Sequence, residues 1–174
     1  MKEAPKGWHN HSNGGGLVQD TAIVESTAYV GENAQVYGDA WVSGNARVYG
    51  NAQVYGNARV YDNARVYDNA RVYGNARLSG NARVSGDAWV YGDVWVYGDA
   101  WVYGDAWETS PLYIQGSKHA LTNSRKGYIQ IGCYEKTFED WKKHYEAIGR
   151  AEGYTPEQIK EYGQLIDLFI AIGK

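Results

Sequence analysis

The sequence predicts a mainly β protein: a parallel β-helix of about five coils over residues 18–107, followed by a small α+β cap with two helices. Three observations predict it. From Val18 to Val102 an aliphatic residue returns every six positions, Val throughout except at Leu78. A small Ala stands four positions later in nearly every hexad, as at Ala28, Ala34, Ala40, Ala46 and Ala52. Pairs such as Gly50-Asn51 and Asp62-Asn63 then supply the backbone freedom that a tight corner requires. A period of six with this pattern is one short strand plus one corner, with Val inward and Ala filling the narrow space beside the corner. Three hexads make one turn. Coils about 4.8 Å apart build a triangular prism roughly 24 Å tall.

Residues 1–17 form a lead, 18–107 the repeat and 108–174 the C-terminal module. The lead is polar, and Gly14-Gly15-Gly16 reads as a flexible join. His9 and His11 are spaced as an HxH pair, but no third ligand lies nearby, so no metal is expected. Trp8 is expected to fold over the first coil, because an uncapped solenoid exposes its core and strand edges.

Within the repeat, residues flanking each inward Val point outward, and positions eighteen apart stack into columns. One column reads Gln35, Gln53, Arg71, Trp89, beside Tyr37, Tyr55, Tyr73 and Tyr91. A second reads Trp41, Arg59, Arg77, Trp95, and a third Arg47, Arg65, Arg83, Trp101. Arg beside Tyr is either a solvated face that discourages aggregation or a surface for an anionic or planar ligand. On the second reading the binding residues are Arg47, Arg59, Arg65, Arg77, Arg83, Tyr55, Tyr61 and Tyr67. Trp89, Trp95, Trp101 and Trp107 form a girdle around the last coil, with Asp87, Asp93, Asp99 and Asp105. So large an apolar patch is expected to be covered by the module or another subunit.

The net charge of −3 resides in residues 1–107. Nucleic acid and anionic membrane are therefore not the expected partners, and no segment has the length of a membrane span. Met1–Gly16 contains no apolar run, so no secretory signal is expected. The lone Cys133 suits a reducing cytoplasm.

In the tail, Leu112–Gln115 and Tyr128–Ile131 read as strands joined by a polar Gly116–Gly127 loop. Ser117-Lys118-His119 and Arg125-Lys126 make that loop the best small-anion site of the tail. Thr137 caps a helix over Phe138–Arg150 with an apolar stripe of Phe138, Trp141, Tyr145 and Ile148. Thr155-Pro156-Glu157-Gln158 starts a second helix, combining an N-cap, Pro at the first position and a capping box. That helix carries Ile159, Tyr162, Ile166, Phe169 and Ile170 on one side, and Leu165, Leu168 and Ile172 widen its apolar surface. The excess points to a second contact, with Trp141, Ile166, Phe169 and Ile170 as interface residues beside the Trp girdle. A self-complementary dimer is the simplest assembly, ahead of a trimer. Cys133 is expected to be buried and structural.

The aliphatic–small hexads resemble those of hexapeptide-repeat proteins, which implies a left-handed parallel β-helix. The best-known enzymes of that kind are acyltransferases with a His base and a loop projecting from the coils. Residues 18–107 contain neither a His nor an interruption. Only His119 remains for an atypical acyltransferase. Phosphate-binding Gly loops, HExxH and paired Cys are absent from the sequence.

The tail motifs Tyr113-Ile-Gln-Gly-Ser-Lys-His119, Ile131-Gly-Cys133, Trp141 and Gly153-Tyr-Thr-Pro-Glu-Gln-Ile159 resemble the ending of hexapeptide-repeat proteins encoded by phages and prophages. This implies a rod plus a helical cap and carries no catalytic residues or cofactor. The expected function is non-catalytic binding by a rigid display surface, with a host protein as partner and inhibition of host defence as the role. The alternative is capture of a small, nucleotide-like anion at a subunit or module interface.

Overall fold

The computed structural model describes residues 3–104, 106–107 and 110–173. The chain divides into two compact units, Met1–Ser110 and Pro111–Lys174.

The first unit is a parallel β-solenoid of about five coils with three faces. One face stacks Leu17–Gln19, Gln35–Val36, Gln53–Val54, Arg71–Val72, Trp89–Val90 and Ala106–Trp107. The second stacks Ile23–Val24, Trp41–Val42, Arg59–Val60, Arg77–Leu78 and Trp95–Val96. The third stacks Tyr29–Val30, Arg47–Val48, Arg65–Val66, Arg83–Ser85 and Trp101–Tyr103. Arg65 pairs with Arg47 below and Arg83 above, so one coil is three hexads. Each strand donates to the next coil, as in Arg47 N–H to Ala64 O and Tyr49 N–H to Val66 O, both 2.9 Å. The Val and Ala columns from Val30 to Val102 are buried, as their spacing predicts. Each Val removed from water contributes about 1.5–3 kcal/mol.

The corners need left-handed backbone. Gly50 has φ 67°, and a Cβ there would lie 2.8 Å from the backbone N of Asp68. Asp62 and Asp68 adopt the same conformation at φ 61° and 60°. Their carboxylates accept the N–H groups of Gly80 and Gly86 at 3.0 and 3.2 Å, which helps hold a conformation that costs a non-glycine residue energy. Asn side chains run alongside as ladders, Asn51 donating to Asn69 at 3.1 Å and Asn69 to Asp87 at 3.0 Å. Asp ends a ladder because an ionised carboxylate only accepts.

Both ends depart from expectation. The lead is not a flexible join. Trp8–Asn10 forms a strand antiparallel to Leu17–Gln19 and covers that edge. A Cβ on Gly14 or Gly16 would fall 2.3 Å from the carbonyl oxygens of Val30 and Gly31, so these glycines serve close packing. In interior coils the oxygen of Ala46 accepts Tyr29 N–H. No preceding coil reaches the equivalent Ala28 oxygen, and the His11 ring and Asn13 amide bond it instead, each at 3.0 Å. His9 turns to Asp20 at 3.0 Å. The HxH pair is thus split between an end cap and a surface pair, and no metal-holding cluster occurs among the described residues.

At the other end the register slips. Arg71 pairs with Trp89, but Trp89 pairs with Ala106 and Val90 with Trp107. One residue has been lost, and a one-residue slip exchanges the faces of a strand. Trp107 therefore takes a Val position and is 7% exposed, closing the core. It is not part of an outward girdle. Asp105 lies outside the described residues.

The second unit packs two helices with a four-stranded antiparallel sheet, Tyr113–Gln115, Ala120–Thr122, Tyr128–Ile131 and Tyr134–Thr137 in that order. The predicted polar loop contains a strand, because Leu121 is drawn fully into the core. Helix α1 spans Phe138–Ala151, with Thr137 accepting Asp140 N–H at its start. Helix α2 spans Pro156–Ile172 and begins with the predicted capping box of Thr155 and Gln158. Glycines bring the helices close: a Cβ on Gly149 would meet Ile159 at 2.9 Å, and one on Gly163 the Tyr145 ring at 2.8 Å. Leu121, Ile129, Ile131, Trp141, Tyr162, Ile166 and Phe169 form the core. Trp141 also donates its indole N–H to Ile129 O at 2.7 Å. Trp141, Ile166 and Phe169 are therefore spent inside the module and are not free for an interface. Ile170 stays 37% exposed.

Candidate functional site

The solenoid faces carry the predicted columns, now with geometry. Tyr37, Tyr55, Tyr73 and Tyr91 stack as a continuous ladder with centroids 4.7, 4.8 and 5.1 Å apart and nearly parallel rings. Trp8 tilts onto its lower end at 5.9 Å. Tyr49 and Tyr67 stack at 5.0 Å on another face. Burial is the main cause that raises the phenol pKa of Tyr37, Tyr49 and Tyr55, so these three stay neutral.

Beside them the guanidinium groups lie on aromatic faces. Arg47 sits 5.0 Å from the Tyr29 ring centre, Arg59 5.8 Å from Trp41 and Arg71 5.1 Å from Trp89. Arg77 and Arg83 lie 5.0 and 5.4 Å from Trp95 and Trp101. The ion pairs among the described residues are His9–Asp20, Arg125–Glu135, Lys142–Asp167 and Arg150–Glu146. None involves a solenoid arginine. The ring contacts hold these guanidinium groups by cation–π attraction, with no carboxylate among the described residues paired to them. Trp89 and Trp95 remain 44% and 51% exposed in the single chain, while Trp101 is half-buried.

The other two columns are interrupted: Ser85 follows Tyr49 and Tyr67, and the remaining column reads Ser43, Tyr61, Ser79, Tyr97. Where Ser43 replaces a ring there is a cleft of about 280 Å³ lined by Trp41, Arg59, Tyr61, Asp62 and Arg77, with Ser43 and Gly44.

The C-terminal module does not gather the predicted anion site. Lys118-His119 and Arg125-Lys126 lie at opposite ends of the strand Ala120–Thr122. Lys118 donates to Glu152 O at 2.6 Å and stands 4.4 Å from the Tyr154 ring centre. Arg125 pairs with Glu135 at 3.3 Å and lies 3.8 Å over Tyr128. Lys126 is exposed. His119 is held through its backbone, its N–H donating to the Tyr162 hydroxyl and its carbonyl accepting from it at 2.7 Å. Cys133, expected to be buried, is exposed in the turn between the last two strands, because Gly132 at φ 57° turns the chain outward there.

Sequence reasoning missed a pocket of about 270 Å³ in this module. Trp141, Tyr145, Tyr154 and Tyr162 wall it with isoleucines, and His119, Cys133 and Glu152 are its polar members. Tyr134 donates to the Glu152 carboxylate at 2.7 Å. Burial, together with Tyr162, pushes the Tyr154 hydroxyl far above its ordinary value, so it remains a neutral phenol. The aromatic spacing at 141, 145, 154 and 162 was the available signal.

The family described as YdcK β-solenoid repeat matches residues 34–50, 52–67, 64–78 and 76–92. This is a repeat β-helix protein. All four matches fall in the solenoid, and none reaches the C-terminal module. No curated protein and no solved structure matches the chain.

Proposed function

We propose that this repeat β-helix protein is a non-catalytic binder whose solenoid displays rigid rows of cations and rings to an acidic surface on a partner protein. The observation that carries the reading is the set of solenoid arginines stacked on aromatic rings without a carboxylate partner among the described residues. Stacked coils fix the spacing of these groups, so little side-chain entropy is lost on contact. The hexads and tail resemble phage and prophage hexapeptide-repeat proteins. We therefore take the solenoid as left-handed, the partner as a bacterial host protein in the cytoplasm, and the role as inhibition of host defence. Exposed Trp89 and Trp95, with Ile170 on α2, support a homo-oligomer, favoured as a dimer.

The test is stoichiometric capture from host lysate by the full chain and by an Arg47→Glu/Arg65→Glu/Arg83→Glu variant. The wild type and Lys118→Ala should both hold one identified partner, and the triple variant should lose it. A partner retained by the triple variant, or no partner at all, overturns the reading.

The cleft at Ser43 favours a second reading, capture of a small planar anion. A ring placed there would complete the interrupted column below Tyr61, with Arg59 and Arg77 beside its charge. The Asp62 carboxylate is already engaged by Gly80 N–H. AMP titrated into the wild type should bind, and Ser43→Tyr, which fills the missing rung, should abolish binding. Equal binding to both proteins removes this reading.

A further inference from the structure

The pocket of the C-terminal module is lined by residues of that module and has its own chemistry. We propose that it binds a small organic amine, with the hydrocarbon part among its rings and the ammonium group at Glu152.

Three features select that class. First, the walls are Trp141, Tyr145, Tyr154 and Tyr162 together with isoleucines. Ring faces attract cations through their quadrupoles while their apolar area accepts a hydrocarbon body. Second, the polar groups of the walls are largely spent within the protein. The Trp141 indole donates to Ile129 O at 2.7 Å, and the Tyr162 hydroxyl donates to His119 O at 2.7 Å. The Tyr154 hydroxyl is paired with Tyr162. Glu152 is different. One carboxylate oxygen accepts Tyr134 at 2.7 Å, and an ionised carboxylate accepts several hydrogen bonds. Glu152 is the one carboxylate in the lining, and it keeps acceptor capacity to spare.

Third, the rim carries acceptor groups. Glu152 is the C-cap of α1, so its carboxylate adds to the negative end of the helix dipole. The chain itself reports the sign. The Lys118 ammonium donates to Glu152 O at 2.6 Å and sits 4.4 Å over the Tyr154 ring. Lys118 is not among the residues lining the pocket, so its ammonium reports on this environment without filling the space. Lys118, predicted to help hold an anion, instead meets the Glu152 backbone carbonyl and a ring face, the contacts a cation makes. His119, Cys133 and Tyr134, with the phenols of Tyr145, Tyr154 and Tyr162, are the other titratable groups facing the pocket.

The decisive experiment compares phenethylamine with 3-phenylpropionate, which share a ring and a similar chain but carry opposite charge. Both are titrated calorimetrically into the full-length protein. Phenethylamine should bind saturably at one site and about tenfold or more tighter than the acid, as expected for a charge-assisted contact. Glu152→Gln keeps an acceptor for Tyr134 and should weaken the amine about tenfold. Ile148→Trp fills the pocket and should abolish binding, and Lys118→Ala should not weaken it. Equal affinity for amine and acid, no saturable amine binding, or an unchanged affinity in Glu152→Gln overturns the proposal. The Glu152→Gln result decides even if Ile148→Trp does not fold. The Arg47→Glu/Arg65→Glu/Arg83→Glu variant should bind phenethylamine as the wild type does, which separates this site from the solenoid surface.

Discussion

The two units solve the same problem, burying enough apolar surface to order a chain, by opposite means. In the solenoid each coil presents small, nearly identical side chains to the coils on either side, and the core is a stack of Val and Ala. In the module a few large residues from distant positions meet once, and Trp141 also ties its helix to the sheet through the Ile129 carbonyl. Stability in a stacked repeat is approximately a sum over coils and their nearest-neighbour contacts. A small globular core has no such subdivision, because its surface-to-volume ratio leaves little in reserve. Damage should therefore stay local in one unit and spread through the other.

The largest effect that sharpens this contrast is Trp141→Ala. It removes a buried ring and leaves the Ile129 carbonyl without its indole donor. A loss of about 3–5 kcal/mol is expected. Hydrogen exchange should then show protection falling across all of residues 111–173 together. Protection lost only around α1 would mean that the module is not one cooperative core.

Val66→Ala is the matched perturbation in the solenoid. It deletes two methyl groups from a fully buried position and should cost about 2 kcal/mol. Faster exchange should be confined to that coil and the coils carrying Val48 and Val84, its partners below and above. Uniform loss across the whole stack would show the solenoid to be as indivisible as the module, and the comparison would fail.

The same contrast explains what the sequence could reveal. A Val at every sixth position leaves no freedom of register, so the columns Gln35–Trp89, Trp41–Trp95 and Arg47–Trp101 are readable before any coordinate is known. Their ends are not readable, because the periodicity says nothing of what happens when it stops. Trp107 continues the spacing perfectly, yet turns inward since no sixth Val–Ala coil arrives to close the core. Gly14 and Gly16 look like linker residues until the backbone of Val30 and Gly31 is seen against them. In the module the capping signals located both helices, because a cap is a local contact between Thr155 and Gln158. The strand Ala120–Thr122 is three residues long, too short for alternation to appear. The pocket was hidden for a related reason. Its walls come from positions 119 to 166, and only tertiary packing brings them together.

The smallest effect concerns the module's response to pH, for which the solenoid offers no counterpart as specific. Burial raises the Glu135 carboxyl above its ordinary value. The folded module therefore holds that proton more tightly than the unfolded chain does. The stability gained this way is full in acid and is lost as pH rises from the unfolded value through the raised one. Once ionised, Glu135 accepts the Ser124 hydroxyl at 2.5 Å and Arg125 at 3.3 Å, which limits the loss. Its side chain is also partly open to solvent, which screens it further. Other carboxylates titrate in the same range, so the clean quantity is the difference between wild type and Glu135→Gln. Measured by urea unfolding from about pH 4 to about pH 7, that difference should move steadily against the wild type. Parallel pH profiles would show that the Ser124 and Arg125 contacts fully compensate the buried charge. An opposite slope would mean that those contacts outweigh burial and that Glu135 is a net anchor of the sheet at neutral pH.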